Sequence, residues 1–551
     1  MESNTSDEVF VAPGPGEWTL DRSHFPGGTT PIAESLIREG GRRGFTKVFA
    51  EIGVPAECLE QRFVNGFMYT RLRPLIGADK PPRKPPPTPM LWVVARVHPA
   101  FRSRNKQAAR TIAERPSNEV VQRWNDEIRP GLAKKNRVLQ DVDPAGLDDD
   151  GLQRHIGDLL DHVDETFELH FWLHGHDLGP IARYVYRSMA FGLEPTAAIG
   201  ALAGASPSTA RPAETLCQIR SLVEASDREV HDLDDVRNVS DEARLLLDGY
   251  LDERGQVLTT GYDITAFTLG ELPDVVFDSI MSATPPPAHD VHEVISQVRA
   301  GVPAEHLDEF DVLLSDARNV MDMRDDNGPL TIEWPTGLLR RALLVAGSRL
   351  ADRGRVADAD HVFELTPEEA RRVLDTPDPV ASELAARAAT RAANSRLSPP
   401  TTLGDPEPQP SLDTLPFALA ELVAMVQVAL KFMGMDGTMI RDDLEGTGVG
   451  TSSYVGRARI TGSADEAFDR LEPGDVLVVR ATSPAFNSVL AIAGAVVTAD
   501  GGALSHAAVL ARELGIPAVI GVSGALSIPD GQMVEVDPVA GAVRLIEEGA
   551  H

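Results

Sequence analysis

From about residue 91 to residue 395, apolar residues recur at spacings of three and four between short Pro, Gly and Asp breaks. That period predicts a succession of amphipathic helices. The pattern changes after residue 440. DVLVVRA (475–481), AVVTA (495–499) and PAVIGV (517–522) are short β-rich runs bounded by Gly, Pro or Asp, with helical segments between them. Such alternation predicts an α/β domain of about 110 residues. Two Pro-rich stretches, ADKPPRKPPPTPM (78–90) and SRLSPPTTLGDPEPQPSLDTLP (395–416), read as extended linkers. LPFALAELVAMVQVALKFMG (415–434) reads as one more helix, apolar nearly all round and therefore expected to be buried. The first 40 residues are rich in Gly and Pro and hold no long periodic segment. The expected architecture is multidomain: an irregular N-terminal segment (1–90), a mainly α-helical domain (91–435) and a C-terminal α/β domain (440–551). There is no internal repeat.

A length of 551 residues allows roughly three or four domains. With 42% hydrophobic and 25% charged residues, wholesale disorder is excluded. The formal charge is −31, from 52 basic and 83 acidic residues. A surface that acidic repels phosphate backbones and anionic lipid, so neither nucleic acid nor membrane is an expected partner. Cys58 and Cys217 are too few for a disulfide framework or a Cys-based zinc site and read as reduced thiols. The opening MESNTSDEVF has neither the basic nor the apolar region of a signal peptide, and no apolar run approaches the ~20 residues of a membrane helix. A cytoplasmic location is expected.

Chemistry concentrates in VVTADGGALSHAAVLARELGIPAVIGV, residues 496–522. A strand is expected to end at Thr498. Asp500, Gly501 and Gly502 make a turn whose backbone N–H groups can approach an anion closely. Ser505 is a good N-cap, which puts His506 in the first turn of a helix. Ala507, Leu510, Ala511 and Leu514 form its buried stripe, and Gly515 and Pro517 stop it. A helix N-terminus favours negative charge by ~0.3–1 kcal/mol at exposed sites. A phosphorylated imidazole gains from that end of the helix, where a neutral one gains little.

The same stretch resembles the signature of the swivelling phosphohistidine domain of the phosphoenolpyruvate-utilising enzymes, among them phosphoenolpyruvate synthase, pyruvate phosphate dikinase and rifampin phosphotransferase. Thr498, Gly501, Gly502, Ser505, His506, Ala508, Ala511, Arg512, Glu513, Gly515, Ile516 and Pro517 all fall where that pattern wants them. GTSSYVGRARI (450–460), PGDVLVVRATSPAF (473–486) and PDGQMVEVDPVAGAVRLI (529–546) resemble its opening strand, its Thr-x-Pro loop and its closing hairpin. The resemblance implies that His506 carries a phosphoryl group between two active sites. It implies phosphate contacts from the Gly501–Gly502 turn and Ser505. Arg512 either holds the phosphate or is a surface charge beside Glu513. Thr498 either contacts the phosphate or simply ends its strand.

The ATP-grasp domain that loads such a histidine is not evident. GPGEW (14–18) and REGGRRG (38–44) hold glycines, but neither lies between a β-run and a helix. Nor does the helical middle resemble the ~250-residue barrel that binds phosphoenolpyruvate. PGEWTLDRSHFPGGTTPI (15–32) resembles the segment just after the ATP-grasp domain in rifampin phosphotransferase relatives. MRDDNGPLTIEWPTGLLRRALLVAGSRLADRGRVADADHVFELTPEEA (323–370) resembles the end of their acceptor domain. LDERGQVLTTGYDITAFTLGELPD (251–274) keeps Asp263, a candidate substrate contact, but little else of a patch common in relatives.

Within GLQRHIGDLLDHVDETFELHFWLHGHDLG (151–179), His155, His162, His170 and His174 fall within about 120° of one helix face, beside Leu159, Val163 and Phe167. Either these are hydrogen-bonded core histidines, or His174 or His170 is the general base for an acceptor hydroxyl. His170 and His174 have metal-ligand spacing, but with no HExxH and no third ligand no metal site is expected. Arg324 continues the stripe Leu313, Ala317, Val320 to an expected helix end at Asn327-Gly328. There it either neutralises a transferring phosphoryl group or complements a helix C-terminus. Arg340 and Arg341 read as solvated charges.

The expected function is that of a phosphotransferase component of a split system. A separate ATP-grasp subunit, with ATP and Mg²⁺, loads His506, and the phosphoryl group passes to a hydroxyl of a small organic acceptor in the helical domain. The alternatives are dehydration of a small alcohol through its phosphate, self-phosphorylation from phosphoenolpyruvate, and a non-catalytic binding protein that retains the carrier fold.

Overall fold

The computed structural model describes residues 10–21, 24–25, 28–78, 87–226, 228–283, 291–376, 379–406, 411–433, 444–462, 464–482, 486–490 and 492–546. They divide into two compact units, Met1–Asp177 with Gly261–Ala266 and Asn327–Ala424, and Leu178–Thr260 with Phe267–Asp326 and Met425–His551. The division therefore does not follow the linker at 395–416. Among the described residues no helix is long and apolar enough to cross a membrane.

The N-terminal 90 residues are not irregular. β1 (Trp18–Asp21), β2 (Ala56–Val64) and β3 (Phe67–Pro74) join β4 (Thr402–Leu403) in an antiparallel sheet of order β2-β3-β1-β4. The reason lies in Asn65-Gly66, a two-residue turn in which Asn65 takes φ 54° and Gly66 φ 83°. That pair matches the right-handed twist of flanking strands and closes Val64 against Phe67. Phe10, Trp18, Phe67, Tyr69 and Leu403 pack as its core. β4 thus comes out of the Pro-rich stretch expected to be only a connector, of which residues 407–410 lie outside the described set, as do 79–86 of the first linker. REGGRRG lies inside the helical run Pro31–Ile52, which widens to a π-turn at Ile37–Gly41, and so forms no nucleotide loop.

Between residues 75 and 401 the described chain has helices and no strand. Asp149–Ala190 is one helix of 42 residues. Most of its expected stripe is buried: His155, Leu159, His162, Val163, Phe167 and His170 lie within the core, and His174 is partly exposed. Asn327-Gly328 does not end a helix. Met321–Gly328 runs through a π-turn at Pro329–Glu333 into Trp334–Asp352. Pro329 lacks the N–H that would close an ordinary turn, and the chain accommodates it by widening rather than breaking. Arg340 and Arg341 are not solvated. Arg340 Nη1 donates to the carbonyls of Ile264 and Thr265, and Arg341 Nη2 to those of Gln140 and Val142. The apolar helix Phe417–Met433 buries only the row Leu419, Leu422, Met425 and Ala429, and leaves Phe417 exposed.

The second unit contains a seven-stranded sheet made of β5 (Thr447–Val449), β6 (Tyr454–Thr461), β7 (Val476–Val479), β8 (Ala495–Thr498), β9 (Ala518–Ile520), β10 (Met533–Asp537) and β11 (Ala542–Leu545). The order is β11-β10-β6-β7-β8-β9-β5. β6 to β9 are parallel, and the outer strands are antiparallel. β7 and β8 are buried at every residue. Parallel strands covered on both faces need such unbroken apolar runs, which is why Val476–Val479 and Ala495–Thr498 stand out in the sequence. The two ends of this fold lie side by side: Val543 N donates to Leu444 O, and Gly446 N to Gly541 O.

Candidate functional site

The loop after β8 presents His506. Thr498, fully buried at the strand end, donates its hydroxyl to Asp500 O at 2.8 Å and accepts from Gly521 N. Its hydroxyl therefore staples the loop to the strand end. Gly501 takes φ 112°, a left-handed conformation open to glycine, and a Cβ there would meet Ser505 Cβ and Oγ at 3.0 Å. Gly502 O accepts from Ser505 N at 2.9 Å. Ser505 caps the helix His506–Leu514 through Ala508 N, and Gly515, at φ 66°, ends it. Ala507, Leu510 and Ala511 are buried as expected, and Leu514 packs half-buried against them.

The half-buried His506 ring is held at one nitrogen, with Nδ1 2.9 Å from Thr482 Oγ1. With Nδ1–H donated to Thr482, the lone pair sits on Nε2. Thr482 was not singled out from sequence, although its Thr-x-Pro loop was quoted as a resemblance; residues 483–485 of that loop lie outside the described set. Burial, and then the charge of Arg324, push the imidazole down to a pKa of about 4. The ring is therefore neutral, and nucleophilic, at physiological pH.

Two guanidinium groups grip the segment just before it. Arg512 Nη2 donates to Ala503 O at 3.1 Å, and Arg324 Nη2 donates to Leu504 O. Burial brings Arg512 down to a pKa of about 10, with Glu513 opposing and Arg324 adding to the shift. Arg324 is mid-helix, so it does not complement a helix C-terminus. Among the described residues its Nη1 is buried with no hydrogen-bond acceptor, and Asp325 Oδ1 lies 3.8 Å away. A buried guanidinium N–H without an acceptor is costly, and a phosphoryl oxygen would satisfy it. Glu513 Oε1 accepts from Gly204 N at 2.7 Å, so helical and α/β segments of this unit meet at the helix His506–Leu514.

His170, His174 and Asp263 belong to the other unit. Asp263 accepts three hydrogen bonds within its own unit: Oδ2 from Thr30 N at 2.7 Å, and Oδ1 from Thr265 N at 3.0 Å and Thr265 Oγ1 at 2.7 Å, so it shapes a turn. His170 and His174 face each other Nε2 to Nε2 at 3.0 Å. His170 Nδ1 lies 3.0 Å from Thr331 Oγ1, and His174 Nδ1 lies 3.1 Å from Asp177 Oδ2. Thr331 Oγ1 also bonds Asn327 O and Asn327 Oδ1, and Asp177 is fully buried. Both nitrogens of both rings are engaged, which is not the arrangement expected of a general base waiting for a hydroxyl. Burial, then His174, holds His170 well below the ordinary histidine range. His162 is a core histidine, bonded to Asn136 Oδ1 at 2.7 Å and pushed down by burial to about 4. Among the described residues no cluster of three His, Cys, Asp or Glu side chains forms a metal site.

The depressed histidines set an acid limit on stability. The unfolded chain takes protons near pH 6.5 that folded His506 and His162 refuse until about pH 4. Their contribution is fully present above pH 6.5 and is lost as pH falls towards 4. Denaturant unfolding at pH 7.0, 5.5 and 4.5 is expected to show this decline, with a smaller decline in His506→Ala.

Residues 471–541 match the family model described as the mobile domain of PEP-utilising enzymes. The chain is 29% identical to a rifampicin phosphotransferase of Streptomyces sviceus over 55% of its own length and 35% of that protein's. It is 44% identical to a phosphoenolpyruvate synthase of Aeropyrum pernix over 16% of its length and 11% of that enzyme's. It is 32% identical to chondramide synthase cmdD of Chondromyces crocatus over 54% of its length and 8% of that protein's. The chain thus spans well under half the length of each of these relatives. Residues 471–541, which include His506, are thus similar to the mobile domain of phosphoenolpyruvate-utilising enzymes.

Proposed function

We propose that this chain is a phosphotransferase component in which His506 accepts a phosphoryl group and delivers it to a hydroxyl of a small organic acceptor bound by the helical region. The donor is an ATP-grasp subunit that supplies ATP and Mg²⁺. The observation that carries the reading is the neutral His506 ring, tethered at Nδ1 by Thr482, beside Arg324 with its unmatched buried N–H. Loading forms a bond from Nε2 to phosphorus as the donor's P–O bond breaks. Phosphoryl transfer asks for positioning and charge neutralisation, and the paired guanidinium groups of Arg324 and Arg512 supply both. Two relatives named as a phosphotransferase and a phosphoenolpyruvate synthase support the reaction class.

The test is incubation of the full chain with γ- and β-labelled ATP, with and without a candidate ATP-grasp protein, and with labelled phosphoenolpyruvate. An acid-labile, base-stable label that appears only with the ATP-grasp protein is expected. No label from any donor would reject the proposal. The mass of the acceptor product separates phosphorylation from loss of water.

A further inference from the structure

The first unit holds a buried negative charge outside the phosphoryl chemistry. Asp177 is fully buried at the end of that unit's share of the long helix. Its Oδ2 lies 3.1 Å from His174 Nδ1, and among the described residues its Oδ1 is buried with no hydrogen-bond partner. Its ion-pair partner among them is His174, which is charged only when protonated. A dry carboxylate oxygen with no donor destabilises the fold, and a ligand that brings a donor removes the penalty. Burial, then the charges of Glu333, Asp21 and Asp177, hold the Tyr262 phenol far above its usual range, so it stays protonated. Three carboxylates thus act on one phenol. The wide turn at Pro329–Glu333 sets the geometry on another side. Glu333 is buried, and its Oε1 lies 3.3 Å from the point where a side chain on Gly328 would begin. The Tyr262 hydroxyl oxygen lies 3.7 Å from the same point. The missing side chain lets a carboxylate and a phenol approach one place, and such π-turns are frequent at functional sites. The Tyr262 ring packs 5.5 Å from that of His170, which packs 4.4 Å from that of His174. The His174 side chain is 27% exposed, so this cluster reaches solvent beside Asp177.

We infer that the first unit binds a small molecule through a protonated amine, with Asp177 as its counter-charge and Tyr262 and Glu333 as further contacts. An ammonium group donates to Asp177 Oδ1 in a charge-assisted hydrogen bond, and the neighbouring ring of Tyr262 favours a cation. A hydroxyl could donate to the same oxygen but would leave the carboxylate's charge uncompensated. An anion would be repelled. The inference concerns binding within the first unit only. It goes beyond the phosphotransfer reading and does not depend on it.

Benzylamine and benzyl alcohol share a shape and differ in charge, and they serve as the probes. The full chain is titrated with each at pH 7, where the amine is protonated, by calorimetry. Benzylamine is expected to bind saturably, and benzyl alcohol at least about 10-fold more weakly. Asp177→Asn should weaken benzylamine binding by about 10–10²-fold, the usual worth of a hydrogen bond to a charged group. Tyr262→Phe, which keeps the ring, should weaken it several-fold. Benzylamine should also raise the melting temperature of the wild type and not that of Asp177→Asn. Equal affinity of the wild type for the two probes, or no saturable binding of benzylamine, would overturn the inference. So would undiminished benzylamine binding by a folded Asp177→Asn. Phosphoryl labelling of His506 is measured on the same preparations: absence of label with benzylamine binding intact would reject the phosphotransfer reading alone.

Discussion

Alanine in place of His506 is expected to eliminate phosphoryl labelling from every donor and to leave the protein folded. The loss should be complete because the proposed nucleophile itself is gone: among the described residues Thr482 is the one side chain bonded to the ring, and it offers only a hydroxyl. The fold survives because the cap that starts the helix is Ser505, through Ala508 N, and not the histidine. Alanine is also the better helix former, by up to ~0.7 kcal/mol. The measurement is label incorporation beside far-UV circular dichroism and an unfolding curve at pH 7. Retained acid-labile label in the variant would place the carrier elsewhere.

Methionine in place of Arg324 is expected to slow loading or discharge of His506 by about 10²–10³-fold, the usual loss when one donor to a developing anion is removed. Methionine keeps much of the side chain's length and bulk in its half-helical, half-α/β surroundings and removes the charge. Two further effects follow from the same change. The contact with Leu504 O disappears, and His506 is freed of a cation that helps to hold its pKa down. The imidazole should therefore titrate at higher pH in the variant than in the wild type, as read by NMR. A slow variant whose His506 titration is unmoved would mean that Arg324 acts by shaping the loop rather than by its charge at the ring.

The carrier segment is legible because each of its steps is local. A strand end, a glycine turn, an N-cap and a glycine stop occupy consecutive residues, and each has a physical signature within four positions of itself. The long helix is legible for the same reason, since Leu159, Val163 and Phe167 share one face. What sequence cannot show is how a polar atom is spent. The bonds of the Thr498 hydroxyl to Asp500 O and Gly521 N, those of Asp263 to Thr30 and Thr265, and those of His174 to His170 and Asp177 appear only in the fold. Arg340 and Arg341 look like surface charges because their carbonyl partners are 75 to 201 residues away. The N-terminal sheet was within reach: Asn65-Gly66 between Phe63-Val64 and Phe67-Met68 is a strong hairpin signal. The wide turn at Pro329 was not, because Asn-Gly-Pro ordinarily marks a helix stop and only the surrounding packing overrides it.

The adjacency of residues 444–446 with 541–543 has a consequence for how such a carrier is used. With both ends of the fold at one edge, the segment that leads into residue 444 can be lengthened, shortened or exchanged without re-registering any strand of the sheet.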